Sequence, residues 1–349
     1  MIRESRPVGR NRVFDLLRIL FATLVLLAHA PELTDGNRSR EILTRITHSN
    51  VTFGSMGVDG FFLLSGFLIV QSWQRDPELL NFVRKRLLRI VPGYLVAVFL
   101  STLAVGLVAP AVPHFFRSFT LDFPLSILLL DAPRTPPVFR TFVNGSLWTI
   151  AYEFRCYLLV AVCGVLGVLR RPILWLAGAV VLLGAANTYA VGHLLAWDSF
   201  FLVAGVPAYA FRLTATFLVG GCFYLFRERI PFRPIFAVGA AVLLSVLLFL
   251  PRTTEPALIV FGGYLLFYLG QVREWSLRWF AGVPDISYGI YLYGWPVQIL
   301  WIYLVHGSPW VTFGASTVLC FGLGWMSWHF VERPMLTLKR RATAPLPPP

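Results

Sequence analysis

Charged residues are scarce in this 349-residue chain, and their scarcity excludes an ordinary soluble domain. Asp, Glu, Lys and Arg make up 13% of the sequence, whereas hydrophobic residues make up 57% and the mean hydropathy is +0.69. Soluble globular domains carry roughly 25% charged residues. A soluble protein of this length could not hide so much apolar surface. The composition therefore predicts an all-α, polytopic integral membrane protein.

Cysteine is also rare, and its placement excludes two further classes of site. The four cysteines lie within apolar runs and form no C-x-x-C pair: Cys156, Cys163, Cys222 and Cys320. Paired spacings in polar loops are typical of disulfide frameworks and zinc sites. We therefore expect neither a disulfide nor a bound metal ion.

Acidic residues are the scarcer charge, with 17 Asp and Glu against 30 Lys and Arg, for a net charge of +13. In a soluble protein this balance would favour a nucleic-acid partner. In a membrane protein it is explained by basic loops on the cytoplasmic side. We therefore expect membrane lipids, and no nucleic acid, around this chain.

Ten apolar runs are long enough, or nearly so, to cross a hydrocarbon core of about 30 Å. They lie at about 14–30, 51–72, 90–109, 147–169, 172–190, 208–226, 234–250, 256–272, 286–305 and 309–331. Basic residues concentrate before the first run and in every second loop thereafter. This alternation predicts about ten transmembrane helices with both chain ends in the cytoplasm.

The chain reads as one transmembrane domain over residues 1–335, followed by a basic, Pro-rich tail over 336–349 that we expect to be disordered and cytoplasmic. The N-terminus has an alternative reading as a cleavable signal peptide. Residues 1–12 are basic, an apolar run follows, and Ala28-His29-Ala30 imitates a cleavage site. Asp15 and Arg18 within the apolar run argue for a retained helix.

The first apolar run carries Asp15, Arg18 and His29 among aliphatic residues. Arg18 and His29 are eleven residues apart, which places them within about 20° of one helical face and about 16 Å apart along the axis. Ionisable groups inside a span are costly and indicate function by default. His29 could move a proton near neutral pH; the alternative is a hydrogen-bonded structural histidine.

The fourth run opens with a polar stretch that carries a carboxylate. Glu153 and Tyr157 are four residues apart and share a helical face, and Trp148 and Thr149 stand one turn before them. In the predicted topology this stretch and His29 both lie in the outer half of the membrane. Glu153 could therefore orient His29 as a general base.

Glu153 also has a purely structural reading. An ion pair with Arg155 or Arg212 would allow a buried carboxylate without any catalytic role. These alternatives stay open at the level of sequence.

Arg86 and Arg89 are spaced three residues apart just before the third run and face one side of a helix. Juxtamembrane arginines commonly bind anionic lipid headgroups. The functional alternative is a cytoplasmic site for a phosphate-bearing co-substrate, because guanidinium groups match phosphate oxygens.

The second run contains Gly57, Gly60 and Gly66, which permit close helix packing, and Asp59, another carboxylate inside a span. Ser65 follows no G-x-S-x-G pattern, so we discount it as a nucleophile. Glu332 and Arg333 close the tenth run and are read as a structural helix end.

Taken in order, these stretches resemble the membrane-bound acyltransferase 3 family over nearly the whole chain. The shared motifs are R-x10-H at Arg18 and His29, GVDGFFLLSGFLI at 57–69, RxxR at Arg86 and Arg89, SLWTIAYE at 146–153, SYGIYLY at 287–293 and FVERP at 330–334. The resemblance implies ten spans in a bacterial inner membrane. It also implies acyl-CoA, usually acetyl-CoA, as a co-substrate rather than a permanently bound cofactor.

The resemblance further implies acyl transfer to a hydroxyl of a carbohydrate: a surface polysaccharide, a lipopolysaccharide or a glycosylated small molecule. Carried over, His29 is the catalytic residue and the donor-site residues are Arg18, Arg86 and Arg89. From the residues themselves, we expect Glu153 to assist His29 and supporting roles for Asp15, Asp59, Trp148, Thr149 and Tyr157.

One departure from the family is visible after SYGIYLY, where relatives often carry a histidine and this chain has Gly294. A histidine at that position cannot assist here. A second function class also remains: a lipid-linked glycan transporter or flippase, in which the intramembrane charges would line a path without acyl transfer. A structural partner in an envelope complex is a third.

Overall fold

The computed structural model describes residues 11–108, 122–132, 142–187, 207–271 and 284–341, and within these ranges the regular structure is helical. The α-helices are α1 (Arg12–Asp35), α2 (Ile42–Ile46), α3 (Phe53–Arg75), α4 (Leu79–Val108), α5 (Asp122–Leu128), α6 (Trp148–Val165), α7 (Pro172–Asn187), α8 (Pro207–Leu225), α9 (Pro234–Leu247), α10 (Thr254–Ala257), α11 (Gly263–Gln271), α12 (Ser287–Val305), α13 (Pro309–Ser327) and α14 (Arg333–Arg341).

A helix covers each of the ten predicted apolar runs, although the last residues of the third, fifth and eighth runs lie outside the described ranges. Within the part of the chain that the structure describes, six helical segments are long and apolar enough to cross a membrane: Arg12–Asp35, Phe53–Arg75, Leu79–Val108, Gly145–Val165, Ala208–Leu225 and Pro309–Thr337. Pro172–Asn187 and Pro234–Leu247 are apolar but shorter. A multi-pass helical protein is therefore established, whereas the count of ten spans and the direction of insertion stay predictions.

Local sequence explains where the two central helices begin. The Asn11 side chain accepts hydrogen bonds from the backbone of Val13 and Phe14 and so caps α1. Thr52 and Ser55 form a reciprocal capping box at the start of α3. Gly36 ends α1 in the left-handed region, at φ 71°, which glycine adopts without a steric penalty.

Helix α3 lies at the centre of the bundle, because small residues let its neighbours approach closely. It packs against α1 on one side and against α8 on another. A Cβ atom on Gly57 would lie 2.6 Å from the Phe21 carbonyl oxygen of α1, and one on Gly66 would collide with the Phe217 backbone of α8. The close packing predicted from these glycines is confirmed, and it holds α1 firmly against the core.

Two π-helical segments interrupt the regular helices. Leu258–Gly262 joins α10 to α11, and Trp328–Glu332 joins α13 to α14. Such segments often occur at functional sites. Residues 336–341 of the predicted disordered tail are helical, within α14, and residues 342–349 lie outside the described residues.

Candidate active site

A cavity of about 920 Å³ opens between α1, α3, α4, α6 and α12. Along α3 its lining extends from Arg75 to Val58, which is about 25 Å at 1.5 Å per residue. Its charged lining residues are basic Arg18, Arg75, Lys85, Arg86, Arg89 and Arg227 and acidic Asp15, Glu153 and Asp285. The surplus of positive charge favours an anionic ligand.

The structure brings the three predicted donor-site arginines into this one cavity. Arg18 and Arg89 converge on Asp285, to which they donate at 3.1 and 2.8 Å. Arg89 also donates to Glu332 at 3.2 Å. The side chains of Asp285 and Glu332 are almost fully buried, so the two arginine charges are matched by carboxylates before any ligand binds.

Asp285 and Glu332 are site residues that the sequence analysis missed or misread. The sequence motifs assign no role to Asp285, and they predict that Glu332 forms a structural helix end with Arg333. Asp285 lies two residues before the SYGIYLY block and Glu332 lies within FVERP, so one residue stands beside a motif and the other inside one. Nothing in the sequence, however, shows that their partners would be Arg18 and Arg89.

Arg86 differs from its two neighbours because it has no carboxylate partner among the described residues. Its Nη2 donates to Ser72 Oγ at 2.8 Å, and its guanidinium lies 5.4 Å from the Phe82 ring centroid and 5.8 Å from that of Tyr157. Its Nε is buried without a hydrogen bond. A largely enclosed cation without a carboxylate in direct contact is costly, so an anion entering the cavity would gain most at Arg86.

Glu153 lines the same cavity and is held by two hydroxyls. Tyr157 Oη donates to Glu153 Oε1 at 2.6 Å, and Ser65 Oγ donates to the same oxygen at 2.8 Å. Glu153 does not contact His29, so the predicted pairing of these two residues is wrong in this structure. The alternative partner Arg212 is also excluded, because it binds Asp59 instead.

His29 lies near the C-terminal end of α1 and is paired with a residue of its own helix. Its Nδ1 is 3.2 Å from Glu32 Oε2. Its ring packs edge-on against Trp295, with 4.7 Å between the two ring centroids. Glu32 in turn accepts from Arg38 Nη2 through both carboxylate oxygens at 3.0 Å. The i, i+3 spacing of His29 and Glu32 was a signal for this pairing that the sequence analysis did not use.

His29 stands beyond the end of the cavity, behind a layer of aromatic rings. The last lining residue on α12 is Tyr291, and Trp295, which touches His29, is one helical turn further on. The Phe61 ring lies 5.8 Å from Tyr291 and 5.9 Å from Phe21. Along α12, the residue that contacts His29 thus lies about one helical turn, or roughly 6 Å, beyond the last residue that lines the cavity.

The predicted supporting residues divide into two groups. Asp15, Thr149 and Tyr157 line the cavity, and the Thr149 hydroxyl shares a 2.6 Å hydrogen bond with Tyr291. Trp148 does not line it and packs against aromatic rings of α6 and α8.

No cluster of three metal-ligating side chains occurs within the described ranges.

Asp59 belongs to a separate ion-pair cluster that joins three elements. Arg212 of α8 donates to both Asp59 oxygens at 2.8 Å and also meets Glu255 of α10. Asp59 is not among the residues that line the cavity. Asp59 therefore links α3 to α8 through an ion pair and does not line the cavity where a ligand would bind.

Gly294 faces α1, and the structure shows what occupies the space that a larger residue would need. A Cβ atom at this position would lie 2.7 Å from Leu26 Cδ1. One turn further along α12, Gln298 Nε2 donates to the Leu26 carbonyl oxygen at 2.9 Å. Leu26 therefore packs where the family's frequent histidine would begin.

Comparison with known protein families matches residues 11–329 to the acyltransferase domain model. The chain is 24% identical to the O-acetyl transferase of Shigella phage Sf6, over 94% of this chain and 97% of that protein. It is 31% identical to the exopolysaccharide production protein ExoZ of Rhizobium meliloti (strain 1021), over 86% of this chain and 96% of that protein. It is 26% identical to nodulation protein 10 of Rhizobium leguminosarum bv. viciae, over 96% of each chain. No solved structure matches the chain.

Proposed function

The chain belongs to the acyltransferase domain family, and on that premise we propose that it moves an acetyl group from acetyl-CoA to a hydroxyl of a carbohydrate. The relatives' names support an O-acetyl transfer and an exopolysaccharide as the class of acceptor. A surface polysaccharide, a lipopolysaccharide or a glycosylated small molecule would each offer such a hydroxyl.

The observation that carries this proposal is the positive cavity that leads toward His29. Acyl-CoA bears a diphosphate and a further phosphate at one end, and these groups suit guanidinium forks. Neither Arg86 nor Arg75, which lies near the same end of the cavity, has a carboxylate partner among the described residues. We assign the phosphates to Arg86 and Arg75, with Arg18 and Arg89 adjusting around Asp285.

The predicted topology would place this end of the bundle in the cytoplasm of a bacterial inner membrane, where acyl-CoA is available. The pantetheine arm would extend along α3, past Glu153, toward Phe61 and Tyr291. Glu153 in this scheme acts on the donor side, because it holds Tyr157, whose ring lies beneath Arg86. The aromatic rings must part for the thioester to reach His29.

His29 would then act as a general base at the far end of the cavity. The acceptor O–H transfers its proton to the imidazole, and the oxygen attacks the thioester carbonyl carbon. The new C–O ester bond forms as the C–S bond breaks. The departing sulfur takes the proton back from the imidazolium and leaves as the free thiol of CoA, so protons and electrons balance without any further reactant.

The experiment is acetyl transfer by the full chain in lipid nanodiscs, with radiolabelled acetyl-CoA and a panel of polysaccharide and glycoside acceptors. We expect an acetyl ester on the acceptor, release of CoA, and loss of both in His29→Ala at unchanged expression and insertion. Full activity of His29→Ala would overturn the role of His29. Transport of lipid-linked glycan with no acetyl-CoA binding and no ester product would instead support the flippase alternative.

A further inference from the structure

His29 lies outside the cavity, and residues that do not line the cavity fix its orientation. It touches Trp295 on one side and Glu32 on another, and Arg38 stands behind Glu32. Trp295 is itself immobilised, because its Nε1 donates to the Phe142 carbonyl oxygen at 2.9 Å. Among the charged side chains, Glu32 therefore contacts His29 directly, and Arg38 contacts Glu32.

We propose that Glu32, held by Arg38, is the positioning residue that fixes the tautomer and orientation of His29. This inference rests on the proposed function, since it concerns the histidine that the proposal makes the base. It replaces the role that the sequence assigned to Glu153, which lies in the cavity with other partners.

The hydrogen-bonding roles follow from the chemistry of the two groups. An ionised carboxylate can only accept hydrogen bonds, so a bond between Glu32 and His29 Nδ1 requires the hydrogen on Nδ1. Nε2 is then the free acceptor and the atom that can take a proton from a substrate hydroxyl. Arg38 keeps the carboxylate ionised and pointed at the ring, because it binds both oxygens of Glu32.

The arrangement has the three-part order of an oriented base: an imidazole, a carboxylate on its far nitrogen, and a group that holds the carboxylate. Glu32 touches neither the cavity nor the proposed donor path, so it is a positioning residue and not a catalytic one. Its loss should therefore lower the rate of the chemical step without weakening donor binding.

The test uses a neighbouring ion pair as a matched control. Asp35, also on α1, pairs with Arg40, which lies in the same short loop as Arg38. Neither Asp35 nor Arg40 contacts His29. The variants are Glu32→Leu, Glu32→Gln and Arg38→Ala, with Asp35→Asn as the control, all as full chains in nanodiscs. Acetyl-CoA and the acceptor that wild-type protein modifies are the substrates.

For Glu32→Leu we expect kcat to fall by about 10- to 100-fold, by analogy with the loss of the carboxylate partner of a metal-bound histidine, while KM for acetyl-CoA stays constant. Glu32→Gln keeps an acceptor oxygen and should retain more activity than Glu32→Leu. Arg38→Ala should fall between wild type and Glu32→Leu. Asp35→Asn should match wild type.

Equal kcat in Glu32→Leu and wild type would overturn the proposal, and so would an equal loss in Asp35→Asn. Glu32→Leu could also lose activity because it misfolds, which a lower unfolding temperature would reveal. Glu32→Gln distinguishes the two causes: the proposal requires that its kcat, and not only its unfolding temperature, is higher than that of Glu32→Leu. If the wild-type protein transfers no acetyl group at all, the proposed function is wrong. If wild type and Glu32→Leu transfer acetyl groups equally well, only the role of Glu32 is wrong.

Discussion

Asp285 accepts hydrogen bonds from both Arg18 and Arg89, and so one buried carboxylate joins the first helix to the fourth. The two arginines lie in different spans, and Asp285 lies just before α12. The three predicted donor-site arginines therefore differ in whether a carboxylate pairs with them. Arg18 and Arg89 are already paired, whereas no carboxylate of the described residues is in ion-pair contact with Arg86.

Asp285→Asn should destabilise the fold. Removal of one partner from a fully buried ion pair costs roughly 3–5 kcal/mol, and the cost here should be smaller because the arginine side chains are about a quarter exposed. Thermal unfolding in detergent should show a lower midpoint than wild type. Asp76→Asn, which breaks the pair with Lys85 at the helix ends, is the control and should shift the midpoint less. An unchanged midpoint for Asp285→Asn would contradict a structural role of this carboxylate.

Arg86→Ala should weaken donor binding more than any other single arginine change at the cavity. A charge-assisted hydrogen bond contributes about 1.5–3 kcal/mol, so KM for acetyl-CoA should rise about 10- to 100-fold. Arg84, on the same helix, is exposed and does not line the cavity, so Arg84→Ala is the matched control. Steady-state kinetics over a range of acetyl-CoA concentrations measure the effect. A KM that is equal in the two variants would remove Arg86 from the donor site.

Phe61→Ala should relax the preference for the acyl group. The Phe61 ring closes the cavity together with Phe21 and Tyr291, and its removal opens space at the end where the thioester would lie. The rate with butyryl-CoA relative to acetyl-CoA should therefore rise. Phe99, exposed on α4, gives the control variant Phe99→Ala, which should leave this ratio unchanged. An unchanged ratio in Phe61→Ala would show that Phe61 does not limit acyl length.

The sequence predicted the helical membrane architecture because hydrophobic length and charge alternation are properties of each segment alone. It also predicted that Arg18, Arg86 and Arg89 act together, because the family motifs mark them individually. The number of spans is harder to predict, because a helix such as Pro234–Leu247 is apolar but short for the membrane. Hydropathy cannot decide whether such a helix crosses the bilayer fully.

Pairings between helices lay beyond the sequence, and Glu153 illustrates why. Its depth in the membrane was predicted to match that of His29, but contact also depends on the rotation and lateral position of both helices. The structure turns Glu153 toward Ser65 and places Glu32 beside His29. A partner three residues away on the same helix could have been found from spacing, whereas Asp285, more than 250 residues from Arg18, could not.

Asn144 compensates for a proline in α12, and this compensation can be measured. Pro296 has no N–H group, so the Leu292 carbonyl oxygen lacks its ordinary helical donor. Asn144 Nδ2 donates to that oxygen at 2.9 Å and also to Ser101 Oγ at 3.1 Å. The site is buried within a membrane protein, where water cannot take over the missing bond.

Asn144→Ala should therefore lower the free energy of unfolding by about 1–3 kcal/mol, the cost of leaving a buried polar group unpaired. Pro296→Ala restores a backbone N–H that can reach Leu292, so the same Asn144→Ala change should cost less in that background. A double-mutant cycle by chemical unfolding in mixed micelles measures the difference. Ser101→Ala, which removes the other acceptor, should show no such coupling to Pro296. Equal costs of Asn144→Ala with and without Pro296 would mean that the Leu292 carbonyl does not depend on Asn144.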